Sequence, residues 1–96
     1  MKQYADKLKN GETISFRPRG NSMIPKIHSG NLVTISPDKE RLEKGDIVFC
    51  KVAGRYYVHL IKAIQGNRYQ IGNNKGHING WIGFDGIMGK VVKVED

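Results

Sequence analysis

Ninety-six residues have room for one hydrophobic core with any site on its rim, and we read 1–96 as a single domain opening on a short helical segment over 1–12. Apolar and charged fractions of 39% and 26% exclude a disordered chain, while one cysteine and no zinc-like Cys/His spacing exclude a disulfide framework and give no reason to expect a metal or cofactor. The formal charge of +7 would draw polyanions, yet the basic residues are dispersed apart from Arg17-Pro18-Arg19, so nucleic-acid contact is permitted without being indicated.

The chain begins "MKQYADKLKNG", which lacks the apolar stretch of a signal peptide, and no later run approaches the ~18 apolar residues of a membrane span. A soluble cytoplasmic protein without membrane contact is therefore expected, in an oligomeric state the sequence leaves open. Tyr4 and Leu8, four apart, predict one or two helical turns stopped by Asn10-Gly11. Runs rich in Val, Ile, Tyr and Thr then follow, separated by Gly, Pro and Asn: "TISF", "LVTIS", "DIVFCKV", "YYVHLIKAI", "RYQIG" and "IMGKVVKVE". The fold class is all-β, mainly antiparallel hairpins after a short N-terminal helix. "AGR" after Val52 predicts a tight hairpin and "QGN" a second, giving a three-stranded meander. "GNNKGHINGWIGFDG" reads as a long glycine-rich loop of the kind that carries function, with Trp81 and Phe84 as a lid on the core.

In "RGNSMIP", Ser22 is either a turn hydroxyl or a nucleophile. A serine nucleophile needs a base within hydrogen-bond reach and donors facing the developing oxyanion. Of three histidines, His28 is in a glycine-flanked turn and His77 in the long loop, whereas His59 sits in a β-branched strand that would hold it rigidly. On pattern alone His59 reads first as a half-buried strand histidine with a satisfied ring nitrogen. Cys50 reads as a small buried hydrophobe.

Taken in order, "RGNSMIP", "IHSGNLVTISP", "EKGDIVFCKV", "YYVHLIKAI", "IGNN" and "IMGKVVKV" resemble the superfamily of LexA-type self-cleaving domains and signal peptidases, from about Phe16 to Val94. The resemblance implies a compact β fold, Ser22 as nucleophile and a general base on the "YYVHLIKAI" strand. Most bacterial branches have lysine there; His59 stands at that place here, as in archaeal and endoplasmic-reticulum signal peptidases. Lys62, three residues on, would point to the other face of the strand. Histidine's ordinary pKa of ~6.5 suits it as a base at neutral pH.

The resemblance further implies the Ser22 backbone N–H as an oxyanion donor with Asn21 beside it, and Met23, Ile24 and Pro25 as a turn anchor or substrate groove. The histidine-using relatives carry acids in and after the "GDN" turn to orient the imidazole. This chain has Asn73, Asn74 and then Asn79 in that loop, and Asp85 further along is a carboxylate that could take their place. No segment here corresponds to a signal peptidase's membrane anchor or a repressor's DNA-binding domain, and the Ala53-Gly54 pair reads as a turn rather than a self-cleavage site. The expected function is hydrolysis of a peptide bond by a Ser22-His59 dyad. The partner is a polypeptide substrate. The rivals are a catalytically silent fold that binds a protein, and a basic module that contacts nucleic acid through Arg17, Arg19 and the loop lysines.

Overall fold

The computed structural model describes residues 1–96. Helix α1 (Lys2–Lys9) is followed by seven strands: β1 (Ile14–Phe16), β2 (Leu32–Ser36), β3 (Ile47–Val52), β4 (Arg55–Gln65), β5 (Arg68–Gly72), β6 (Ile78–Gly83) and β7 (Ile87–Glu95). All pair antiparallel in one sheet of order β1-β2-β7-β3-β4-β5-β6. No helix is long and apolar enough to cross a membrane.

An eight-residue helix is marginal alone, so α1 depends on what it packs against. Ala5 and Leu8 are buried on its inner face, and the Tyr4 ring stacks on Phe16 of β1 at 4.5 Å. Gly89 of β7 makes that docking possible: a Cβ there would stand 2.5 Å from the Ser36 carbonyl oxygen and 3.2 Å from the Leu8 side chain. Asn10 ends the helix, and Gly11 turns the chain away at φ +84.

The central strands supply two cores because successive side chains point to opposite faces. Phe49 of β3 joins α1, Val33 and Ile35 in the larger cluster, while Val48, Cys50 and Val52 join Ile61, Ile71 and Ile87 in the smaller. The β3–β4 hairpin turns through Ala53 (φ 50) and Gly54 (φ 84), the two positive φ angles that match a two-residue turn to strand twist. The expected Gly66-Asn67 hairpin is present as well, with Gln65 paired to Arg68. The three-stranded meander is therefore β3-β4-β5.

The glycine-rich stretch does not form one long loop. Residues Ile78–Gly83 form β6, paired to β5 at the sheet edge, and only Phe84–Gly86 makes a short 3-10 turn before β7. Three glycines and an asparagine within "GHINGWIG" hide a strand whose existence depends on the partner β5 supplies. Trp81 and Phe84 do not pack down as a lid. Both are exposed, and Lys39 stands 4.1 Å above the Phe84 ring while its Nζ donates to the Phe84 and Ile87 carbonyls.

Candidate active site

The nucleophile candidate rests on a turn with two apolar roots. Gly20 adopts φ +112, which a glycine tolerates, and the chain then coils through Ser22–Lys26, with Ile27 N–H donating to the Met23 carbonyl at 3.0 Å. Met23 and Ile27 are buried in the larger core and hold the coil down. The next turn also clamps it. The Asn74 backbone N–H donates to the Ser22 carbonyl at 2.9 Å, and its side-chain Nδ2 donates to the Ile24 carbonyl at 3.0 Å. The Ser22 backbone N–H donates to no backbone group.

His59 lies mid-strand on β4, paired with Val48 and 8% exposed. Its Nε2 is 3.2 Å from Ser22 Oγ, and its Nδ1 is 2.7 Å from Asn79 Oδ1 on β6, two strands away. An amide oxygen only accepts, so Nδ1 carries the ring proton and the Nε2 lone pair faces the serine hydroxyl. The Tyr57 ring, two residues earlier on the same strand, lies 4.8 Å from the imidazole and walls it on one side. Burial holds the His59 pKa below the ordinary 6.5; the Asn79 hydrogen bond pulls it up and nearby His77 pushes it down further. The ring is consequently neutral near pH 7, in the form a general base requires.

The proximity of Asn79 to His59 follows from the β5–β6 turn. Gly72 lets the chain fold tightly, since a Cβ there would stand 2.5 Å from the His77 carbonyl oxygen. Asn73 stabilises the turn itself: its Oδ1 accepts from the Lys75 and His77 backbone N–H groups at 2.8 and 2.9 Å.

The remaining sequence candidates divide. Asn73 and Asn74 are engaged in the turn and in the clamp on Ser22, so neither orients His59. Asp85 is on the 3-10 turn, where its charge acts on Lys39 rather than on the imidazole. Asn21 is exposed, and its carbonyl accepts the Ile24 N–H at 3.3 Å. Met23 lines the cavity beside Ser22, but Ile24 and Pro25 do not: in a coil anchored by Met23 and Ile27, the residues between them turn outward, and Pro25 faces solvent. The Lys62 side chain packs near Gly72, and the Ser22 hydroxyl meets His59 instead. Cys50 is buried, its thiol pushed up to about 12 by that burial. Sequence reasoning did not single out Asn79 among the loop asparagines. Reading Ile78–Gly83 as a strand would have placed it on a rigid element across the sheet from His59.

The Ser22-His59-Asn79 relay opens onto a cavity of about 690 Å³, floored by Phe16, Met23, Ile27 and Val58 and rimmed by Arg17 and Arg19. A hydroxyl, a neutral imidazole oriented by an amide, and an unpaired backbone N–H beside an apolar groove are the parts needed for acyl transfer. The sequence profile of the peptidase S24-like family matches residues 2–92. The chain belongs to the peptidase S24-like family. No curated protein gives a significant match. As a peptidase S24-like chain it carries a β fold of the LexA and signal peptidase superfamily.

Proposed function

We propose that this peptidase S24-like chain is a serine peptidase in which Ser22 is the nucleophile, His59 the general base and Asn79 the residue that positions His59. The observation that carries the reading is the relay of 3.2 Å from Ser22 Oγ to His59 Nε2 and 2.7 Å from His59 Nδ1 to Asn79. Ser22 Oγ attacks the scissile carbonyl carbon as Nε2 takes the hydroxyl proton. The resulting imidazolium gives that proton to the departing amine nitrogen as the C–N bond breaks, leaving an ester on Ser22. Water then attacks the ester with His59 again as base, which releases the carboxylic acid and restores the hydroxyl. The Ser22 N–H, which donates to no backbone group, serves as the oxyanion donor at each tetrahedral stage in this reading. β1 is an edge strand paired only with β2 and leads directly into the serine turn, so an extended peptide has a strand to lie beside.

A fluorophosphonate, which reports serine activation without a known substrate, tests the reading. Labelling should occur on Ser22, vanish in Ser22→Ala and fall by about 10²-fold or more in His59→Ala. Absence of labelling across about pH 6 to 9 would sink it. A specific observation favours a second reading, a silent peptide-binding fold: Asn79 is neutral and provides no counter-charge for an imidazolium. In that case Ser22→Ala would retain full affinity for a partner and labelling would fail.

A further inference from the structure

The cavity beside Ser22 is unusual in its charge. Arg17 and Arg19 line it and His77 stands at its edge, yet no aspartate or glutamate lines it. Neither arginine is neutralised within the chain. The three ion pairs, Lys2–Asp6, Lys90–Asp46 and Lys93–Glu95, all lie elsewhere. Arg17 donates through Nη1 to the Gly30 carbonyl at 2.6 Å, which anchors the guanidinium end and leaves its further N–H groups without a partner in the chain. Both side chains are exposed at the rim, above a floor that is aliphatic and aromatic. A cavity of about 690 Å³ also exceeds what one methyl-sized side chain would occupy, and it is comparable to sites that enclose a small ligand.

We infer that this groove selects acidic-apolar peptides: a large apolar side chain enters the floor formed by Phe16, Met23, Ile27 and Val58, and a Glu or Asp within about three residues of it meets Arg17 and Arg19. The inference rests on the peptide-directed reading of the site and adds the class of sequence it takes. Burial of the apolar side chain supplies affinity, because its surface leaves water for a matched lining. The arginines supply direction: a carboxylate gains paired donors, whereas a lysine brings a third positive charge to a rim with no compensating acid. Two arginines are too few to follow a phosphate backbone, and the hydroxyl-imidazole pair at the mouth suits an acyl group, which a peptide carries and a nucleic acid does not.

The test uses the 96-residue Ser22→Ala chain, so binding is read without turnover, and fluorescein-labelled octapeptides in an alanine-glycine background. Each peptide carries one leucine with either Glu or Lys at varied distance. Glu members should bind about ten-fold tighter than their Lys counterparts at low salt, with the gap narrowing as salt rises. Replacing the leucine by glycine should cost a similar factor, and Arg19→Glu or Arg17→Glu should invert the Glu-to-Lys ratio. Because the readout is a ratio, any general loss of folded protein in a variant cancels, and the wild-type rim with Ser22→Ala alone already decides the sign. Equal binding of Glu and Lys members overturns the inference, as does an oligothymidylate that displaces every peptide from the groove. If no peptide binds but the wild-type chain is labelled by fluorophosphonate, the specificity is wrong and the catalytic reading stands. If Glu-dependent, leucine-dependent binding occurs without labelling, the specificity stands and catalysis fails.

Discussion

Replacing Asn79 by leucine removes the oxygen that accepts the His59 Nδ1 proton at 2.7 Å while leaving Ser22 and His59 in place. The imidazole is buried, so its Nδ1–H would be left without a partner, at a cost of about 1–3 kcal/mol. The ring escapes that cost by moving the proton to Nε2, which then presents N–H to Ser22 and cannot take its proton. The working tautomer should therefore fall by roughly 5- to 150-fold, and fluorophosphonate labelling with it. Asn79→Asp makes the complementary change. A carboxylate at that distance should raise the His59 pKa, opposing the burial that now holds it below 6.5. Labelling requires neutral His59, so the wild-type rate should rise through a midpoint below 6.5 and be level near neutrality. The Asp variant should show that midpoint displaced upward, with a higher plateau because the imidazolium gains a counter-charge. Rates are measured against pH, and ring ¹⁵N shifts report tautomer and titration independently of catalysis. Undiminished labelling in Asn79→Leu with the Nδ1–H tautomer retained, or an unmoved midpoint in Asn79→Asp, would refute the positioning role.

The same depressed pKa makes stability depend on pH. Between the folded-state value and 6.5 the unfolded chain binds the His59 proton more readily, so Tm should fall as pH drops through that window; in His59→Gln that component should be missing. Gly89→Ala should lower stability by about 1–3 kcal/mol in a urea titration, because the new methyl meets the Ser36 carbonyl and forces α1 off the sheet. Ala53→Asn should raise stability by roughly 0.5–1 kcal/mol, since asparagine tolerates the left-handed conformation that alanine adopts there at φ 50. Cys50 should resist iodoacetamide in the native protein and react only on unfolding, because its buried thiol does not ionise; native-state modification at mildly alkaline pH would contradict the burial.

Six of the seven strands were legible because they are local patterns: β-branched runs bounded by glycine, proline or asparagine. The seventh, β6, was hidden by glycines at 80 and 83 and by its edge position, where pairing with β5 rather than propensity decides the conformation. The same edge strand decides the site. With Ile78–Gly83 read as a loop, Asn79 was one of several asparagines near His59. On a paired strand it is the residue whose Oδ1 meets Nδ1. The Ser22-His59 contact was anticipated from the order of motifs, and its 3.2 Å geometry depends on contacts that sequence spacing does not reveal, above all the Asn74 clamp on the serine turn.

By itself the sequence determined the β-rich class, the hairpin turns and the pairing of a serine turn with a strand histidine, because each is written in residues close together or in motifs whose order identifies the family. Only the tertiary structure decided which side chain holds the imidazole, that Met23 rather than Ile24 or Pro25 faces the groove, and that Arg17 and Arg19 rim it without an acid. Those outcomes depend on residues from separate strands and turns meeting across the sheet, and side-chain direction at such meetings is set by pairing register and bulges rather than by local sequence.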